Sequence, residues 1–143
     1  MSTESKRQWR KKHPLLAKIE NAKSGIERKL KSKSYKYDAD ACVLQSNLAI
    51  CDFDKNIVQK IEKRYPNRKD QYTVDASHMR RNVNPLMTHI QRAFWDARRK
   101  MRKLESKESL SEKQAKSLKH YTNKMRITEF DMRTLALIEM KYM

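Results

Sequence analysis

The chain has 143 residues, 38% of them hydrophobic, a size that suits one compact domain rather than two. Lys and Arg number 34 against 17 Asp and Glu, a formal net charge of +17, and there is only 1 glycine. That deficit leaves no Gly-rich phosphate cradle, GxGxxG turn or nucleophile elbow, and it argues against a sandwich or barrel built on tight hairpins.

In chain order, residues 1–13 read as a basic arm ahead of a single helical domain over residues 14–143. The arm leads into no apolar stretch, so no export signal is expected, and the expected location is the cell interior, cytoplasm or nucleoid. From Pro14 to Lys31 the spacing predicts an amphipathic helix, with Leu15, Leu16, Ile19, Ala22, Ile26 and Leu30 on one face. Pro14 suits the first turn, and Gly25 weakens the helix without breaking it. Ser32 to Asp38 reads as a connector. In residues 41–51, ACVLQSNLAIC, helix and strand compete: Ala41, Leu44, Leu48 and Cys51 share a helical face, while the same letters allow two strands around Gln45–Asn47. The lack of glycine at that turn favours the helix. Asp52 and Asp54 then cap a second helix carrying Phe53, Ile57, Val58, Ile61 and Tyr65, which Pro66 ends.

Residues 67–84 are polar, with a short helix begun at Asp75. Asn84–Pro85 is a helix start, and Leu86, Ile90, Phe94, Ala97, Met101 and Leu104 follow at steps of four or three. Ser109-x-x-Glu112 reads as a capping box for the next helix, with Leu118, Tyr121 and Met125 inward. Thr128 caps the last helix, whose apolar residues (Phe130, Met132, Leu135, Leu137, Ile138, Met140 and Tyr142) surround much of its circumference. Such a helix is central to the core or covered by a second chain, so a homo-oligomer or protein partner is expected there. No repeat or low-complexity tract is recognised. The expected architecture is all-α, a compact bundle of about five to seven helices with a basic N-terminal arm.

The charge is clustered. Residues 1–37 hold 12 Lys/Arg and 3 acids, and residues 67–104 hold 10 and 3, whereas residues 38–66 hold 4 and 5. Clustering sets the potential that a phosphate meets, so the two basic blocks point to nucleic acid, DNA or RNA. With Ile90 centred on the buried face, Arg92 and Arg99 lie nearly opposite and Lys103 lies close by. Trp95 and Arg102 border the same side, and Arg98 flanks the buried stripe. Asp96 is the one acid between Arg92 and Lys103. Arginine grips phosphate with a two-pronged fork, and a tryptophan can stack on a base. Arg80 and Arg81 extend the row. In the arm, Lys6, Arg7, Arg10, Lys11 and Lys12 surround Trp9, which either joins the contact or anchors the core.

The sequence offers little for catalysis. Four histidines are scattered, and Asp38/Asp40 and Asp52/Asp54 suit helix capping better than two-metal chemistry. Cys42, Cys51, His78 and His89 are the right types for zinc, but their spacings match no compact finger. No enzyme activity, cofactor, metal or membrane contact is expected. The phrase KRQWRKKHP (Lys6 to Pro14) resembles the basic lead-in of some small phage HNH endonucleases, although no His-Asn-His motif follows and no active site carries over. Low glycine with high lysine, methionine and asparagine also resembles small phage proteins, for which the host cell would be the location. The expected function is non-enzymatic nucleic-acid binding through phosphate contacts. The alternative is an assembly or regulatory factor that docks on an acidic protein surface.

Overall fold

The computed structural model describes residues 2–66 and 84–142, and every regular element among them is helical. The elements are α1 (Thr3–Lys12), α2 (Pro14–Ser32), α3 (Asp38–Arg64), α4 (Pro85–Glu105) and α5 (Glu112–Lys141). The expected short helix at Asp75 lies outside the described residues.

Local chemistry sets the ends. The Asn84 side chain accepts from the Leu86 N–H at 3.1 Å, and Pro85 occupies the first turn, where a missing N–H costs nothing. The box that opens α5 is Ser111 with Gln114, two residues later than the expected Ser109–Glu112. The Ser111 hydroxyl accepts from the Gln114 N–H at 3.1 Å, and the Ser111 N–H donates to the Gln114 side chain at 3.0 Å. The helix α2 runs through Gly25 and ends at Lys33, which takes the left-handed conformation with φ 53°. There the N–H groups of Lys33 and Ser34 reach back to Leu30 and Lys29 and satisfy two terminal carbonyls.

Residues 41–51 are helical, as favoured, but two expected boundaries are absent. Neither Asp52 nor Asp54 caps a helix, because α3 is continuous from Asp38 to Arg64. Nor does Thr128 cap one, because α5 runs unbroken past it. Thr128 is buried, and its hydroxyl donates to the Lys124 and Met125 carbonyls at 2.8 and 3.0 Å. A threonine can thus satisfy itself inside a helix, and here it does so.

The helices form two hairpins, α2–α3 and α4–α5, and these are copies of one unit. The buried residues of α3 are Cys51, Asp54, Val58 and Ile61, and those of α5 are Thr128, Asp131, Leu135 and Ile138. Each maps onto its partner with the same displacement of 77 residues (51 to 128, 54 to 131, 58 to 135, 61 to 138). Identical letters follow it: Ile50/Ile127, Phe53/Phe130, Asp54/Asp131, Ile61/Ile138, Glu62/Glu139 and Tyr65/Tyr142. In the first helices the displacement is 71, pairing Pro14/Pro85, Leu15/Leu86, Ile19/Ile90, Ala22/Ala93, Arg28/Arg99 and Lys29/Lys100. The residue ahead of each proline bonds the equivalent glutamate. His13 Nδ1 lies 2.8 Å from Glu62, and the Asn84 amide donates to Glu139 at 2.8 Å. This repeat corrects the sequence reading, which recognised none.

The copies meet as the halves of a two-fold dimer do, each giving what it receives. Tyr65 donates to Asp131 at 2.6 Å, and Tyr142 donates to Asp54 at 2.7 Å. Arg64 pairs with Asp131 at 3.0 Å, and Lys141 pairs with Asp54 at 3.2 Å. These contacts set α3 antiparallel to α5. The core lies between them and the starts of α2 and α4: Leu15, Leu16, Ile19, Cys51, Val58, Ile61, Leu86, Ile90, Leu135 and Ile138 form one cluster. Beyond the core each hairpin continues as an arm two helices thick. No residue of α3 before Cys51 is buried, and none of α5 before Thr128. Because α3 and α5 are antiparallel, the arms leave the core in opposite directions. At 1.5 Å per residue the α5 arm reaches about 24 Å.

Candidate nucleic-acid interface

The helix α4 presents its cations as its periodicity requires. Ile90 and Ala97 are fully buried, so Arg92, Arg99, Arg102 and Lys103 stand exposed on the other side. Trp95 is 58% exposed, and the Arg98 guanidinium lies 5.1 Å above its ring. That contact sets a positive charge over one face of the exposed indole. Asp96 binds Arg99 at 2.8 Å and Lys100 at 3.1 Å. Those bonds, to Lys100 first and then Arg99, hold its carboxyl below the ordinary value. The row is therefore one-signed except at this point. Lys100 also lies 5.3 Å over the Tyr121 ring, tying α4 to α5.

The hairpin geometry adds residues that sequence reasoning missed. The first half of α5 runs beside α4 in the same arm, and Lys113, Lys116, Lys119, Lys124 and Arg126 are all exposed on it. Residues 113–126 contain no acid. The signal was present but hidden, because the acids Glu129, Asp131 and Glu139 sit at the core end of the same helix and offset the charge of the whole segment. Both helices of the α4–α5 arm thus carry cations on their outer sides.

The other candidates fall elsewhere. Lys6, Arg7, Arg10, Lys11 and Lys12 are exposed on α1, which is a regular helix. Trp9 packs against the core cluster, with its ring 5.2 Å from that of His13. It takes the anchoring alternative. Arg80 and Arg81 lie outside the described residues. The α2–α3 arm repeats part of the α4 row, with Arg28, Lys29 and Lys31 standing where α4 has Arg99, Lys100 and Arg102. The adjoining half of α3 is uncharged from Ala41 to Cys51, so that arm is less basic.

Among the described residues no group of three or more His, Cys, Asp or Glu is arranged to hold a metal ion. Cys42 is exposed and Cys51 is buried, and His78 lies outside the described residues. Nor is any described helix long and apolar enough to cross a membrane. No family model, curated protein or solved structure matches the chain.

Proposed function

We propose that this protein binds nucleic acid, DNA or RNA, through phosphate contacts along the α4–α5 arm, without catalysing a reaction. The observation that carries the reading is the arm's two outer sides, which bear exposed Arg92, Arg99, Arg102 and Lys103 on one helix and Lys113, Lys116, Lys119 and Lys124 on the other. A face that serves solubility alone mixes signs into pairs three and four residues apart. Here Asp96 is the one acid from Arg92 to Lys103, and it pairs with Arg99 and Lys100. Trp95, 58% exposed, would stack on a base, a contact worth about 1–3 kcal/mol in single-strand binders. The exposed cations of α1, and Arg80 and Arg81, would add further phosphate contacts. Binding of this type is mostly independent of sequence, because it rests on backbone charge.

The test is direct titration of the full chain with duplex DNA and with single-stranded RNA at low salt. Submicromolar binding that an Arg99/Arg102/Lys103→Ala variant loses supports the reading. Unchanged binding by the variant sinks it. The second reading, a factor that docks on an acidic protein, is favoured by the uncovered apolar face of α5.

A further inference from the structure

We propose that the outer face of α3 and α5 docks an acidic amphipathic helix of a partner protein. This does not rest on the nucleic-acid reading, whose residues lie on the arm. Each central helix has three sides to account for. Asp54 and Asp131 face the opposite hairpin through their tyrosine and cation partners. A second side of α3 faces α2, through Lys55 with Glu20 and Glu62 with His13. At about 100° per residue, Ile50 and Phe53 fall on the third side of α3, as do Ile127 and Phe130 on α5.

A dyad that exchanges two antiparallel helices runs perpendicular to their common plane. It therefore keeps α2 and α4 on one side of that plane and gathers the four apolar residues on the other. Phe53 and Phe130 are 65% and 66% exposed, and Ile50 and Ile127 are 46% and 51% exposed. Leu137 and Met140 extend the same face and are exposed too. Ile61/Ile138 keep their identity because they pack the core, and the Asp and Tyr pairs because they join the hairpins. Ile50 and Phe53 are equally retained in both copies yet lie outside the core cluster. Exposed apolar groups gathered on one face mark a contact surface.

Charge selects the occupant. Lys60, Lys63 and Arg126 are exposed beside this face. The carboxylates nearby are already engaged: Asp54 by Lys141, Asp131 by Arg64 and Glu129 by Arg133. A second copy of the chain would set these cations against their own kind. A helix with an apolar stripe and acidic flanks satisfies both features.

The probe is a synthetic amphipathic peptide with leucines at helical spacing and glutamates elsewhere, titrated into the full chain. Controls are its lysine counterpart, a polyglutamate of equal length, and vesicles of anionic lipid. The leucine–glutamate peptide should bind, and Phe53→Ser/Phe130→Ser should weaken it at least about tenfold, the loss of exposed anchors. Either single substitution should weaken binding by less than the pair. Both phenylalanines are exposed, so helicity and melting temperature should hold. Polyglutamate affinity equal to that of the leucine peptide would overturn the proposal, as would indifference to the serine substitutions. Preference for the lysine peptide or the vesicles, or self-association abolished by the same substitutions, would also overturn it.

Discussion

The hydroxyl of Tyr65 donates to the fully buried carboxylate of Asp131 at 2.6 Å, across the boundary between the two hairpins. The equivalent bond, Tyr142 to Asp54, runs the other way at 2.7 Å. Two buried carboxylates are costly unless each is paired and hydrogen-bonded. Here each has a tyrosine and a cation drawn from the opposite copy. The arrangement fixes register as well as pairing, because a shift of one residue would strand both acids.

Replacing Tyr65 or Tyr142 with phenylalanine should cost about 1–3 kcal/mol each, since each leaves a buried acceptor short of a donor. The two losses should be similar in size. Chemical denaturation of both variants checks the equivalence of the copies.

Both hydroxyls should also shape stability at high pH. Burial, then the bond to Asp131, raises the pKa of Tyr65 above its ordinary value of 10.0. Burial, then the bond to Asp54, does the same for Tyr142. The unfolded chain releases these protons near pH 10, while the folded chain holds them beyond it. Their contribution is therefore complete below pH 10 and is lost as the pH rises above that. Melting temperatures measured from pH 8 to 11 should fall above pH 10, and less steeply in the double phenylalanine variant.

Much of the fold was legible in the sequence because α4 and α2 show apolar residues at clean helical spacing with proline at the start. The continuity of α3 was not legible, because Asp54 looks like a capping residue when its partners, Lys141 and Tyr142, are 87 and 88 residues away. Thr128 misled because its hydroxyl is satisfied inside the helix, by the Lys124 and Met125 carbonyls, and not at a helix start. The repeat escaped notice because the two helices of each hairpin carry different displacements, so no single shift aligns the copies. On the candidate site, the α4 row was readable from periodicity, whereas the lysines of α5 became part of it only through the hairpin.

Gly25 is the sole glycine, and a Cβ built there meets nothing within 4 Å. Gly25→Ala should therefore stabilise α2 by about 0.5–1 kcal/mol. Lys33→Gly should also stabilise, because it relieves the left-handed conformation that Lys33 adopts. Thermal melts of both variants and of their combination should show additive gains.

The isolated second hairpin, residues 84–142, should associate into a two-fold dimer. Its Asp131 would meet Tyr142 and Lys141 of a second copy, as Asp54 meets them in the intact chain. Sedimentation should show a dimer that Asp131→Ala dissociates. A hairpin that stays monomeric and helical would argue against the equivalence of the two interfaces.

The most direct measurement for the function is affinity for duplex DNA and for RNA across a salt series, with the intact chain beside an Arg99/Arg102/Lys103/Lys116→Ala variant. Each phosphate contact should contribute a slope of about −0.9 in log affinity against log salt on a duplex. The intact chain should lose at least about a thousandfold between 50 and 200 mM salt, as six or more contacts require. The variant should bind more weakly and with a shallower slope. A flat salt response, or a variant indistinguishable from the intact chain, would contradict phosphate binding by the α4–α5 arm.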